Sequence, residues 1–274
     1  LKRRTSIICT DRIDHLMGNP NFVLDYYSLH DSGCTYRLIQ QYQPDEVYNL
    51  AAQSHVAVSF LTPQETIKTI VDGCLNWLEA IRILNPQIKF YQASSSEMFG
   101  RNTNVPLSEA SEMLPASPYG CAKLCAHHLV QNYRESYGLF ACSGILFNHE
   151  SPRRSETFVT RKVTRAIARI ASGDKEHVLV VGNLEAKRDW GFAKDFVEAM
   201  HLMLQAPEPD DYVVSTGEAY TVREWITETL RASGIDFEWK GNEVWSGERL
   251  LVKTDPKYER PQEVPLLLGC SDKI

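Results

Sequence analysis

The 274 residues contain no stretch of about 18 apolar residues, so no membrane-spanning helix is expected. The first residues, LKRRTSIICTD, are basic but lack an apolar core, and they do not read as a secretory leader. Positive charge is not in excess: 29 Lys and Arg stand against 35 Asp and Glu, a formal net charge of −6. Domains that bind nucleic acid usually carry a basic face, so no nucleic-acid partner is expected. No C-x-x-C pair occurs, and the seven cysteines are odd in number and widely spaced. That usage fits free thiols in a reducing compartment and points to a cytoplasmic protein. No metal site is expected either. Cys121 and Cys125 lie one helical turn apart, and the adjacent His127 and His128 point to different sides of a helix. There is no internal repeat, no low-complexity run and no G-x-x-G-x-x-G turn. Such a turn usually cradles a dinucleotide pyrophosphate at a helix N-terminus.

What remains is ordinary globular composition, 43% hydrophobic and 23% charged. DEVYNLAA (45–52) follows a turn signal and reads as a strand. Residues 62–84 carry apolar side chains at Ile67, Ile70, Val71, Leu75, Leu78 and Ile81, which is helical spacing. Thr62 reads as the cap of that helix, with Pro63 in the first turn. IKFYQAS (88–94) is the next strand, and 117–138 a helix with Ser117 at its N-cap and Gly138 past its end. FACSGILFNH (140–149) reads as a strand and 157–173 as a helix. The alternation predicts an α/β fold, a Rossmann-like, doubly wound and mainly parallel sheet. After residue 150 the pattern loosens into a smaller α/β lobe, with WKGNEVWSGER (239–249) as a turn-rich surface excursion. The expected division is therefore 1–150 and 151–274, with some later segments returning to the first domain.

Two short stretches carry chemistry. Tyr119 and Lys123 form Y-x-x-x-K, which places both side chains on one helix face. A phenol with a pKa near 10 is a poor base at neutral pH, and a neighbouring ammonium favours its ionised form. Lowering that pKa by about three units takes roughly 4 kcal/mol. The second stretch is YQASSSEMFG (91–100), where three serines and a glutamate follow a strand. In a doubly wound sheet this is the end of the strand at which ligands bind. Ser95 is the candidate hydroxyl for the oxygen that Tyr119 deprotonates, and Glu97 a candidate second base. A solvated Tyr/Lys pair and a simple serine turn are the alternatives that these residues leave open by themselves.

YQASSSEMFG, SPYGCAKL, NYRESYGLFACSGILFNHESPRR, ETFVTRKVTRAIA, KRDWGFAKDFVEAM and DEVYNLAAQSHVAVSF together closely resemble the GDP-mannose 4,6-dehydratase family. These are extended short-chain dehydrogenase/reductases. The resemblance runs from about residue 2 to 270. It implies conversion of GDP-mannose to GDP-4-keto-6-deoxymannose with tightly held NADP. By the same resemblance the catalytic group is Ser95, Glu97, Tyr119 and Lys123, with serine where the family usually has threonine. The implied cofactor contacts are Arg3, Arg4, Ser28, Leu29, Leu50, Ala51, Ala52, Gln53, Ser54, Lys123, His149 and Arg154. Arg3 and Arg4 suit a ribose 2′-phosphate, because guanidinium matches phosphate geometry. Ser28 stands where the family has an aspartate near adenine, and Glu65 where it has a tyrosine. The implied sugar-nucleotide contacts are Asn148, Lys162, Arg188, Arg260 and Glu263. Lys162, Arg165 and Arg169 also share a helix face suited to a diphosphate or to solvent.

Homodimers or homotetramers are implied by the same analogy. The family's first strand and Gly-rich turn are not matched, nor are its last helices. The expectation is either flanks belonging to a longer protein or a truncated, weakly active relative. A related nucleotide-sugar dehydratase or epimerase, or a non-catalytic sugar-nucleotide-binding subunit, stays open beside it. Glu97 favours dehydration, since C4 epimerisation alone needs no carboxylate there.

Overall fold

The computed structural model describes residues 1–3, 9–258 and 261–274. Arg4 and Arg260 lie outside the described residues. In chain order the main elements are α1 (Ser32–Tyr42), β1 (Glu46–Asn49), α2 (Val56–Leu61), α3 (Pro63–Leu84), β2 (Lys89–Ser95), α4 (Pro118–Tyr137) and β3 (Ala141–Leu146). There follow β4 (Asn148–Glu150), α5 (Val159–Ala171), β5 (Leu179–Val181), β6 (Lys187–Phe192), α6 (Ala193–Gln205), β7 (Asp211–Val214), β8 (Ala219–Thr221) and α7 (Val222–Ser233). The last strands are β9 (Glu238–Lys240), β10 (Glu243–Ser246), β11 (Arg249–Thr254) and β12 (Leu266–Leu267).

The chain forms two compact units, each assembled from separate segments. The first comprises Leu1–Ser94, Pro118–Gly144 and Leu202–Asp211; the second comprises Ser95–Ser117, Ile145–His201 and Tyr212–Ile274.

The first unit carries β1 and most of β2 and β3, which are neighbours in that order in one sheet. β1 and β2 run parallel, with Glu46 opposite Lys89 and Asn49 opposite Gln92. A parallel pair needs a long crossover, and α3 supplies it between these two strands. This is the wound, Rossmann-like α/β arrangement that the alternation predicted. Its core joins Leu38 and Ile39 of α1, Ile70, Trp77, Leu78 and Ile81 of α3, Phe90 of β2, and Ala126 and Val130 of α4. Fully burying one such Leu, Ile or Phe side chain contributes about 1.5–3 kcal/mol, so α3 and α4 are held chiefly by these faces.

One cap differs from expectation. Thr62 precedes α3 but caps no backbone N–H; its hydroxyl donates instead to the Val58 carbonyl at 3.3 Å. Thr62 closes the preceding short helix α2, where its backbone N–H also donates to the Val58 carbonyl at 2.9 Å, so the residue serves the end of α2 and not the start of α3.

The second unit holds two small sheets, β5-β11-β10-β9 and β12-β6-β4, with β8 pairing with β6. Its core packs Val163, Ile167 and Ile170 of α5 and Ile226 and Leu230 of α7 with Leu179, Val181, Val244 and Val252. α7 starts with a reciprocal cap, in which the Thr221 hydroxyl accepts from Glu224 N–H and the Glu224 carboxylate accepts from Thr221 N–H. Two sequence expectations are corrected in this half of the chain. Residues 239–249 are no loose excursion but belong to the antiparallel strands β9, β10 and β11. Two-residue loops join these strands, each begun by a glycine with positive φ, Gly241 at 63° and Gly247 at 59°. That is the conformation a tight hairpin requires at its first central residue. The expected strand 140–149 is also two strands: β3 ends at Leu146, and β4 resumes at Asn148 to pair with β6 instead. Phe147 makes the break, with its side chain 1% exposed and its N–H donating to the Val214 carbonyl.

Candidate active site

In the first unit, α4 sets the Y-x-x-x-K pair against the end of β2. Tyr119 and Lys123 are 8% and 4% exposed, and the Lys123 ammonium lies 5.8 Å from the centre of the Tyr119 ring. Lys123 Nζ donates to the Ala93 carbonyl at 2.6 Å. Burial pushes the Lys123 ammonium down to about 8. It still carries its charge at neutral pH, where it favours a phenolate beside it. Solvated surface residues would be neither buried nor tied to a strand carbonyl.

Ser94 is buried and hydrogen-bonded to His127 Nδ1 at 3.1 Å, so the start of the serine run is committed to packing on α4. His127 is buried while His128 is exposed, as adjacent helical positions dictate.

In the second unit the serine run continues into a single 3₁₀ turn, Ser96–Met98. Ser95 caps that turn: its hydroxyl oxygen accepts from Glu97 N–H at 3.3 Å, and its own proton stays available as a donor. Ser95 is 8% exposed and Glu97 half-buried. The turn is anchored by buried Met98 and Phe99, the latter packed on Phe147 with ring centres 6.2 Å apart. Gly100 closes it at φ 48°, where a Cβ would stand 2.1 Å from the Leu114 carbonyl. The sequence alternatives, turn or site, are therefore not exclusive: the turn is what presents Glu97.

The residues expected to hold a dinucleotide fall into three groups. In the first unit, Lys2 pairs with the Asp25–Tyr27 segment through backbone hydrogen bonds, and exposed Arg3 follows it. Ser28 is exposed, whereas Leu29 packs on Gly73 and its carbonyl accepts from Asn76 Nδ2 at 2.9 Å. Glu65 is engaged with His30 at 3.3 Å and with the Thr69 hydroxyl at 3.1 Å. Second, the loop after β1 leaves Leu50, Ala51 and Ser54 exposed with Ala52 half-buried. Gln53 braces that loop, donating to Thr66 Oγ1 at 3.0 Å and accepting from His55 N–H at 2.7 Å. Third, in the second unit, His149 stacks on Phe196 and bonds the Phe147 carbonyl through Nδ1 at 2.9 Å. Arg154 lies 3.7 Å over the Phe158 ring and pairs with Glu150 at 3.3 Å. A nicotinamide dinucleotide fits the first unit. Backbone and small side chains line the loop at the C-terminal end of β1, and a buried ammonium keeps further donors for a ribose hydroxyl.

The sugar-nucleotide candidates described are all in the second unit. Arg188 on β6 is 7% exposed; it donates to Glu263 at 3.0 Å and to the Lys187 carbonyl at 2.9 Å. Next to it, fully buried Asp189 accepts from Thr216 N–H at 2.9 Å and Gly217 N–H at 3.0 Å. That pairing fixes the strand from which Arg188 projects. Asn148 sits opposite Trp190 in the β4–β6 pair. Lys162 lies 3.9 Å over the Tyr258 ring, and burial followed by the nearby Lys257 lowers its pKa. The basic face on α5 does not act as one surface: Arg165 pairs with Glu156 and Arg169 with Asp174 at its exposed end. Sequence reasoning missed Asp189 and Tyr258 in these supporting roles. A lone Asp in a strand and a Tyr in a loop carry no periodic signal.

The GDP-mannose 4,6 dehydratase family profile matches residues 1–274. The chain belongs to this family. It is 46% identical over 296 residues to the GDP-mannose 4,6-dehydratase of Yersinia enterocolitica, covering all of this chain and 79% of that one. It is 49% identical over 294 residues to the GDP-mannose 4,6-dehydratase of Vibrio cholerae, covering 98% and 78%. A structure of RMD from Pseudomonas aeruginosa complexed with NADPH superposes with a TM-score of 0.79 at 25% identity, covering 92% and 80%. Membership in the GDP-mannose 4,6 dehydratase family and the short-chain dehydrogenase fold agree with the expectation drawn from the motifs.

Proposed function

We propose that the chain catalyses the 4,6-dehydration of GDP-mannose to GDP-4-keto-6-deoxymannose and water, with NADP as its cofactor. The observation that carries this reading is the buried Tyr119/Lys123 pair tied to the end of β2, two residues before Ser95 along the same strand. The relatives named above bring the substrate. The first unit takes the dinucleotide through Arg3, Ser28, Leu29, Leu50 to Ser54 and Lys123; His149 and Arg154, in the second unit, belong to the cofactor set by motif. The second takes the sugar nucleotide through Asn148, Lys162, Arg188 and Glu263. Arg4 and Arg260 belong to these sets by motif alone. A homodimer or homotetramer in the cytoplasm is the assembly that goes with this reading. Among the described residues no helix is long and apolar enough to cross a membrane.

The cofactor supplies hydride acceptance at C4 and hydride return at C6. Tyr119 removes the C4 hydroxyl proton, and the Lys123 charge stabilises the phenolate that does so. The Ser95 hydroxyl donates to the same sugar oxygen. Once C4 is a ketone the C5 hydrogen is acidic, and Glu97 removes it. The proton on Glu97 then goes to the C6 hydroxyl, which leaves as water. Hydride return at C6 is matched by a proton taken up at C5, and the proton that Tyr119 took from the C4 hydroxyl, released through solvent, balances that uptake, so Tyr119 and Glu97 both end the turnover as they began it.

Incubation of the protein, including any segment that precedes Leu1 in its natural form, with GDP-mannose tests the reading. The expected result is a 4-keto-6-deoxy sugar with no net consumption of NADPH. Turnover of UDP- or dTDP-sugars with none of GDP-mannose would overturn the substrate assignment. Glu97→Gln is expected to reduce the cofactor at C4 and stop there; normal dehydration by that variant would remove Glu97 from its role.

A further inference from the structure

Tyr119, Lys123, His127 and Gln131 recur every four residues along α4, so they form one polar stripe on a helix otherwise packed by apolar side chains. The stripe meets two strands within the first unit. Lys123 Nζ donates to Ala93 O at 2.6 Å, His127 Nδ1 meets Ser94 Oγ at 3.1 Å, and Gln131 Nε2 donates to Asp211 at 2.7 Å. Gln131 Nε2 also lies 3.2 Å from His127 Nε2. A carboxylate only accepts, so Asp211 fixes the Gln131 amide with its NH₂ inward. The second hydrogen of that NH₂ then points at His127 Nε2, which must be the unprotonated nitrogen. The proton of the neutral ring therefore sits on Nδ1 and is donated to Ser94. The hydrogen-bond pattern thus specifies one tautomer of one side chain from two neighbours.

We propose that His127 is a positioning residue for the Tyr119/Lys123 pair. Its neutral ring holds Ser94, and with it the Ala93 carbonyl, in a fixed register against α4. The inference rests on the catalytic reading above, since it names what that pair is positioned by. His127 is 1% exposed, and its bond to Ser94 lies one residue along the strand and one helical turn from the Lys123 contact. Without it, the strand end loses a side-chain tie to α4 one residue from the lysine contact, and the Ala93 acceptor is held less firmly. The charged and titratable groups facing the ring are Asp211 from β7 and His128 and Arg134 from α4, with neutral Ser94 from β2. Arg134 Nη2 already pairs with Asp211 at 2.5 Å, so that carboxylate is engaged without a protonated histidine. Burial accordingly lowers the His127 pKa.

Three variants test this: Ser94→Ala, His127→Phe and His127→Asn, whose amide nitrogen falls near the place of Nδ1. The first readout needs no substrate: the titration of the Lys123 side chain followed by NMR in the folded protein. Ser94→Ala and His127→Phe are expected to move that titration away from its wild-type midpoint, and His127→Asn to restore it. The second readout is steady-state kinetics with GDP-mannose. Here kcat is expected to fall about tenfold for the two disruptive variants with KM within about twofold, and the double variant to be no worse than either alone. An unchanged Lys123 titration in folded Ser94→Ala overturns the proposal, as does a loss confined to thermal stability. If the wild-type protein fails to turn over GDP-mannose, the catalytic reading falls, and the titration still decides the positioning role.

Discussion

The candidate residues of the first unit and those of the second are held in opposite ways. On α4 and β2, Tyr119, Lys123, Ser94 and His127 are buried, and neutral acceptors such as the Ala93 carbonyl satisfy the cation. In the second unit the cations are already partnered: Arg188 by Glu263, Arg154 by Glu150 and Lys162 by the face of Tyr258. On the proposed roles, the difference follows from what each group has to do. A proton-transfer pair needs fixed geometry and a tuned pKa, and burial supplies both at a cost in stability. A group that recognises a charged ligand needs only to be available, and an internal carboxylate keeps its charge compensated until the ligand replaces it.

Four outcomes would sharpen or break that contrast. The largest is expected at Lys123→Met, where kcat falls by about 10³ or more with little change in sugar-nucleotide KM, measured by steady-state kinetics. A KM effect instead would place Lys123 with the binding residues. Arg188→Gln should do the reverse and raise KM about 10- to 100-fold at nearly constant kcat, the worth of a hydrogen-bonded charge.

The third outcome is a pH dependence. Lys123 titrates at about 8 in the folded protein against an ordinary lysine value of 10.5. Its burial therefore destabilises the fold fully below about pH 8, where both states carry the charge. That cost is relieved as pH rises toward 10.5, because the folded state gives up its proton first. Lys123→Met should thus be more stable than the wild type by on the order of 3 kcal/mol at neutral pH, the difference closing at high pH in denaturant titrations. In the wild type, activity should decline as pH passes 8, as the charge beside Tyr119 is lost. The smallest outcome is Lys162→Gln, with KM raised about threefold, since a half-exposed cation over a ring contributes little.

The helices α3 and α4 were legible almost to the residue, because each pairs a long apolar period with a proline at its start. The strand leading into the serine run was legible as well, and with it the position of the candidate stretch at its end. Less was visible where local signals conflict with tertiary pairing. β9 to β11 are rich in turn residues, and the Gly241–Asn242 and Gly247–Glu248 loops are tight hairpin turns, which a reading biased toward loops takes for loop. Phe147 gives no local sign that the chain changes sheets there. The polar stripe on α4 was half seen: Tyr119 and Lys123 carried a known spacing, whereas His127 and Gln131 acquire meaning only when Ser94 and Asp211, far away in sequence, meet them. Composition also gives no sign of where the chain crosses between the units, at Ser94–Ser95, Ser117–Pro118, Gly144–Ile145, His201–Leu202 and Asp211–Tyr212.

Ser94 and Ser95 end one strand, so their side chains leave it on opposite faces. The first is spent on His127 and the second on capping the turn that carries Glu97. The three serine codons at 94–96 are thus synonymous in letter but not in place. Loss of one codon would leave Ser-Ser-Glu still readable in the gene and change no residue type at the site. Yet it would bring Glu97 one position nearer along the strand and turn it to the other face. A genetic screen that scores the motif by its letters would pass such an allele as intact, and only a screen that counts the spacing would reject it.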